Sequence, residues 1–288
     1  MTSVAITGAN GQLGKELVKT LTEKGHKVFS FSHQVLDISD LDSVNAILKQ
    51  NSFGFLFNCA AFTDLDQAEK ENNRAFEVNS LGAGNLALFC KQQKVKLIQI
   101  STDAVFSSDE PKFFSPNEKT NPVNVYGRSK CAGEEFILET YPEGSWIVRT
   151  SWLYGRYGGK FVHKILSGVS QDQGKIQVVN DQYGQPTLTS SLAHFLAGFI
   201  SDPPKLGIHH FASPDYTSRF DLARAIFEMM DAEPLRIIAT KTRPSKNVAP
   251  RPKFSLIQNT NTQMTPEFIV GGWRSELAHF ISEYRGSK

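Results

Sequence analysis

Tyr126-Gly-Arg-Ser-Lys130 sets a phenol and an ammonium four residues apart. On a helix those positions share a face. A neighbouring cation favours the phenolate and lowers the tyrosine pKa, which suits a group passing protons near neutrality. The ammonium can also hold a cofactor ribose. Spacing alone discriminates little, because Tyr284 and Lys288 repeat it at the end of the sequence. What distinguishes Tyr126 is what precedes it. The apolar run Lys96-Leu-Ile-Gln-Ile100 reads as a strand and leads into Ser101-Thr102-Asp103. In doubly wound sheets ligands bind at the carboxyl ends of strands, so Thr102 is placed to bond a substrate oxygen beside Tyr126. Tyr126, Lys130 and Thr102 are the expected catalytic group.

A second constellation opens the chain. Val4-Ala-Ile6 is followed by Gly8-Ala-Asn10-Gly11-Gln12-Leu13-Gly14, and Leu13, Leu17 and Leu21 then recur at helical spacing. Glycines between a strand and a helix allow φ > 0 and let a pyrophosphate approach the backbone. The amides at the helix start then bind the anion. This context marks a dinucleotide site. Such sites usually carry an acid about 20 residues on, bonding the adenosine ribose. Here the second strand ends in Ser30-Phe-Ser32-His33, with neither acid nor arginine. The missing acid removes a repulsion against a 2′-phosphate. NADPH is the expected cofactor, with NADH also accepted.

Elements must position these groups, and the pattern supplies them. Strand-like runs (Lys27–Phe31, 55–58, 96–100, 146–149) alternate with helical stretches (41–50, 68–92, 127–140). That alternation predicts an α/β, Rossmann-type doubly wound parallel sheet. Residues 1–150 are the expected dinucleotide-binding domain. Beyond them prolines such as Pro203, Pro204, Pro214, Pro234, Pro250 and Pro252 break the pattern. Residues 151–288 are expected to form a smaller, less regular substrate region, partly interleaved with the sheet.

Composition excludes other classes. With 288 residues, 40% hydrophobic content and a net charge of +2 of mixed sign, nothing suits a nucleic-acid partner. Apolar runs are too short to span a bilayer, and Met1-Thr2-Ser3 carries no charged leader. The three cysteines, Cys59, Cys90 and Cys131, lack ligand spacing, so reduced thiols, no metal and a cytoplasmic location are expected.

With those residues in view, the chain resembles the dTDP-4-dehydrorhamnose reductase family, within the extended short-chain dehydrogenase/reductases, over nearly its full length. The matching stretches are Ile6–Gly14, Asn58-Cys-Ala-Ala61, Asp66-Gln-Ala-Glu69, Ser101-Thr-Asp103, Asn121-Pro-Val-Asn-Val-Tyr-Gly127, Arg149-Thr-Ser-Trp-Leu-Tyr154, Asn180-Asp-Gln-Tyr-Gly-Gln-Pro-Thr187 and Arg251-Pro252. The resemblance implies hydride transfer to the C4 ketone of a dTDP-linked 4-keto-6-deoxy sugar. It implies that Tyr126 protonates the developing alkoxide, Lys130 tunes it and Thr102 orients the ketone. Gly8, Asn10, Gly11, Gln12 and Leu13 would face the pyrophosphate, Ser32, Asp37 and Ile38 the adenosine, and Ala60, Ala61 and Thr63 the nicotinamide. Thr102, Asp103, Trp152 and Arg251 would contact the sugar nucleotide, with Arg251 suited to the diphosphate.

The chain departs from the family pattern twice. Ala104 stands where members usually carry tyrosine, implying a wider pocket beside the ketone. Glu16 matches a glutamate of a magnesium-linked dimer, yet Ser190-Ser191 supply no acid at the corresponding place, so a monomer or weak homodimer is expected. Two rivals share these motifs: a related nucleotide-sugar ketoreductase or epimerase, and a non-catalytic partner resembling the methionine adenosyltransferase beta subunit.

Overall fold

The computed structural model describes residues 1–170, 174–243, 245, 248–260 and 271–286. Its centre is a six-stranded, all-parallel sheet of β1 (Ser3–Thr7), β2 (Lys27–Phe31), β3 (Phe55–Asn58), β4 (Lys96–Thr102), β5 (Ser145–Thr150) and β6 (Gly207–His210), in spatial order 2-1-3-4-5-6. The strands are short and apolar because both faces are covered. Val4, Ile6, Phe57, Ile98 and Val148 face one core, while Ala5, Leu56, Leu97 and Ile147 face the other.

Helix α1 (Gln12–Glu23) presents Leu13, Leu17 and Leu21 to the first core. The chain then forms α2 (Leu41–Leu48), α3 (Leu65–Lys70), α4 (Asn72–Phe76) and α5 (Gly82–Gln93) before β4. The turns between α4 and α5, Glu77–Leu81, are π-helical. Helix α6 (Val125–Thr140) precedes β5 and packs with α5 on the second face. The chain runs from β1 to β2 on one side and returns to β3 on the other. That reversal opens a crevice at the carboxyl ends of β1 and β3, directly below the glycine turn.

The second half both returns to the sheet and builds its own core. Helix α8 (Thr189–Ser201) lies on α1, and β6 extends the sheet beside β5. Residues 207–210, Gly-Ile-His-His, carry no strand pattern of their own, and pairing with β5 decides their conformation. Helices α7 (Lys160–Ser170), α9 (Arg219–Met229) and α10 (Trp273–Gly286) enclose a separate cluster including Val162, Leu222, Ile226, Leu277 and Phe280. Tyr284, whose spacing to Lys288 repeats that of Tyr126 and Lys130, packs on this cluster; Lys288 lies outside the described residues. Among the described residues, no helix is long and apolar enough to cross a membrane.

Candidate active site

A cleft of about 1070 Å³ runs along the carboxyl edge of the sheet. Its wall includes Gly8, Asn10, Gly11, Gln12 and Leu13 after β1, Asp37 and Ile38 after β2, and Ala60, Ala61 and Thr63 after β3. Thr102, Asp103 and Ala104 follow β4, with Tyr126 and Lys130 from α6, and Trp152 and Arg251 from the second half. Ser32 is the exception. Its carbonyl turns the chain by accepting from the Val35 and Leu36 amides, and His33 and Gln34 reach the wall instead.

The glycine turn fits a dinucleotide. Gly8 has φ +65°, and a Cβ there would lie 2.5 Å from the Ala60 nitrogen. The close approach of the two loops therefore excludes any side chain at this point. A buried polar chain fixes the neighbouring strand ends: Thr7 Oγ1 donates to Asn58 Oδ1 at 2.6 Å, and Asn58 Nδ2 to Gln99 Oε1 at 2.7 Å. Asn58 Oδ1 also accepts from the Ala60 amide. Asn79, in the π-helical turn, bonds both backbone groups of Phe62 and the Ser129 hydroxyl, tying the loop after β3 to α6. Asp37 accepts from Ser39 and Arg74. Burial pushes its carboxyl up, but those donors override it and leave the pKa below the usual range.

Tyr126 stands in the first turn of α6. Asn124 caps that helix through the Gly127 amide and donates to the Pro250 carbonyl, while Glu69 accepts from the Val125 amide. Tyr126 shares the cleft wall with Thr102, whose hydroxyl acts on the ionisation of the phenol. Lys130, one turn on, donates to the Ile100 carbonyl at 2.7 Å. The expected lowering of the tyrosine pKa does not occur. Burial pushes Tyr126 up to about 12, with the Thr102 hydroxyl opposing it. Burial also pulls Lys130 down to about 8 against the charge of Glu134. The ammonium is engaged with the β4 backbone, so desolvation outweighs any benefit it gives the phenolate.

Asp103 lines the cleft, but hydroxyls of Thr102, Ser151 and Ser255 already occupy its oxygens. Its pKa is raised by burial, which those bonds oppose. The geometry makes it a brace for Thr102. Arg251, expected to be free for a diphosphate, instead pairs with Asp66 at 2.9 Å and bonds the Ala249 carbonyl. Asp66 also accepts from the Ala249 amide, so Asp66-Gln-Ala-Glu69 ties two loops to the rim. In Asn180–Thr187, Gln182 and Tyr183 reach the cleft, whereas Gln185 is buried and staples Ser213 to Ile257.

Trp152 has φ +39°, a strained value for a bulky residue. Its indole lies where a Cβ on Gly184 would be, and the Arg219 guanidinium stacks 3.5 Å from its ring centroid. Sequence reasoning passed over Arg219, Asn58, Asn79, Ser151 and Ser255. Apart from the Ala60 amide beside Asn58, their hydrogen-bonding partners lie between 17 and 152 residues away, so local spacing could not reveal them.

The sheet order, the glycine crevice and the Tyr126–Lys130–Thr102 cluster define the class: a Rossmann-type α/β protein of short-chain dehydrogenase/reductase pattern. Within it, the chain belongs to the RmlD substrate binding domain family, which matches residues 1–286. It is 36% identical to a dTDP-4-dehydrorhamnose reductase of Mycolicibacterium smegmatis over 99% of this chain and 86% of that protein. A dTDP-4-keto-6-deoxy-D-glucose reductase of Streptomyces niveus is 35% identical, covering 88% of this chain and 87% of the relative. The crystal structure of Bacillus anthracis dTDP-4-dehydrorhamnose reductase in complex with NADP superposes with a TM-score of 0.91 at 34% identity, over 98% and 99% of the two chains.

Proposed function

We propose that this protein uses NADPH, and NADH as well, to reduce the C4 ketone of a dTDP-linked 4-keto-6-deoxy sugar, converting dTDP-4-dehydro-L-rhamnose to dTDP-L-rhamnose. The observation carrying this reading is the gathering of Thr102, Tyr126 and Lys130 on the wall of a dinucleotide-shaped cleft, with Tyr126 and Lys130 one turn apart on α6. The names of the relatives supply the substrate class.

When bound, the nicotinamide supplies the hydride. The amides of the Gly8–Leu13 turn hold the pyrophosphate, and the loop after β3 borders the nicotinamide. Thr102, braced by Asp103, orients the ketone oxygen. Tyr126 gives its hydroxyl proton to that oxygen as negative charge develops there. A phenol with a raised pKa suits this direction, since it arrives protonated and a secondary alkoxide is far more basic. Lys130 orients the cofactor ribose from the same helix face. Trp152 forms the wall on the sugar side.

Residues 1–150 form the cofactor half and 151–288 the substrate half, with 189–210 returned to the sheet. We place the protein in the cytoplasm as a monomer or weak homodimer; its free cysteines suit a reducing compartment. The test is loss of NADPH absorbance when dTDP-4-keto-6-deoxy sugar is added to purified protein. Tyr126→Phe should bind NADPH normally and turn over about 10²- to 10⁴-fold more slowly. No NADPH loss on any dTDP-4-keto sugar, or a Phe variant within twofold of wild type, would overturn the reading.

A further inference from the structure

Three arginines reach the wall of the cleft: Arg74, Arg219 and Arg251. Arg74 is paired with Asp37 and Glu77, and Arg251 with Asp66. Arg219 differs. It is the first residue of α9, and its backbone amide donates to the Gln182 carbonyl. Among the described residues, no carboxylate or carbonyl oxygen accepts a hydrogen bond from its guanidinium. The negative charge that acts on it is Asp103, whose oxygens are taken by three hydroxyls.

A half-buried guanidinium without an acceptor is costly, yet this one is held firmly. Its centre lies 3.5 Å from the Trp152 ring centroid and 4.7 Å from that of Phe161. Stacking of this kind covers the guanidinium face and leaves the in-plane N–H donors for another ligand. Trp152 is itself fixed by its left-handed backbone and by the absence of a Cβ at Gly184. The arrangement is a rigid platform on the cleft wall, bearing a planar fork that is unpaired among the described residues.

We infer that Arg219 binds the diphosphate of the substrate's nucleotide, replacing Arg251 as the residue that reads it. The inference rests on the proposed nucleotide-sugar substrate, which carries one anionic group; its sugar ring carries none. The cofactor's pyrophosphate is already provided for at the β1–α1 turn, across β3 and β4 from this platform. A guanidinium can bond two phosphate oxygens at once, and an ammonium cannot reproduce that fork. Arg219 is thus a specificity residue for the diphosphate, distinct from the groups that move the proton.

The test is calorimetric titration of thymidine, dTMP and dTDP into the NADPH-saturated protein. Wild type should bind dTDP at least tenfold more tightly than thymidine. Arg219→Gln should weaken dTDP by roughly 10- to 100-fold, leaving thymidine and NADPH affinities within twofold. Arg219→Lys should recover only part of the loss, and both variants should melt near the wild-type temperature. Unchanged dTDP affinity in Arg219→Gln overturns the inference. So does a loss confined to NADPH, which would assign the residue to the cofactor, or wild-type protein that binds no nucleoside diphosphate. Arg219-dependent dTDP binding without NADPH consumption on any dTDP-4-keto sugar would uphold this inference and overturn the reductase reading.

Discussion

At Tyr126 two influences compete, and burial outweighs the nearby hydroxyl, so the phenol keeps its proton up to about pH 12. Lys130 moves the other way, down to about 8. The group that changes charge in the working range is therefore the lysine. Its protonated form is present below about pH 8 and lost above it. A neutral amine holds a ribose hydroxyl and tunes the phenol less well than an ammonium. The profile of kcat/KM for NADPH, which reports the free protein, should fall through about pH 8. A profile flat to about pH 10 would remove Lys130 as the titrating group. The same profile separates the two residues, since loss of a tyrosine proton would appear only far higher.

Among the elements, α6 matters most, because it carries both Tyr126 and Lys130. One turn beyond Lys130, Glu134 forms a buried ion pair with Arg149 of β5, 2.6 Å from Nη2, and accepts from Ser101 of β4. Arg149 Nη1 reaches Nε2 of His210 on β6 at 3.3 Å. Burial and the arginine charge push that histidine down to about 3, so it stays neutral and can accept. One buried network thus pins α6 to three strands. Removing one partner strands a buried charge, which costs about 3–5 kcal/mol. Glu134→Gln and Arg149→Met should each lose about that much in urea unfolding. The double variant Glu134→Leu/Arg149→Met should cost less than either single change, because no charge is left unpaired. A double cost equal to the sum of the singles would show that the network is not coupled.

Over the whole molecule, the two halves share one cleft. Gln12 of the glycine turn donates to Thr189 at the start of α8, which in turn bonds the Tyr154 carbonyl. Asn124 and Asp66 tie the first half to the 249–251 loop. Binding energy gained far from the ketone can therefore position it beside Tyr126. A free 4-keto-6-deoxy sugar should lose kcat, and not merely affinity, relative to its dTDP-linked form at saturating NADPH. Equal kcat values would contradict a nucleotide-anchored mechanism.

Much of this was written in local sequence. The alternation of apolar runs with leucine-spaced helices gave the sheet, and the glycine turn gave the cofactor crevice. Those signals are legible because strand and helix periods repeat within a few residues. The Tyr126–Lys130 pair was legible for the same reason, since one helical turn joins its members. Tertiary structure decided the rest. Strand β6 exists because β5 offers it an unpaired edge. Tyr126 has a raised pKa because burial, not its sequence neighbour, sets its environment. Arg251 and Arg219 look alike in the sequence, yet Asp66 pairs with one, while stacked aromatic rings hold the other with no ion pair among the described residues. Charge and burial depend on partners up to 185 residues away along the chain (Arg251 to Asp66), and only folding brings those partners within reach.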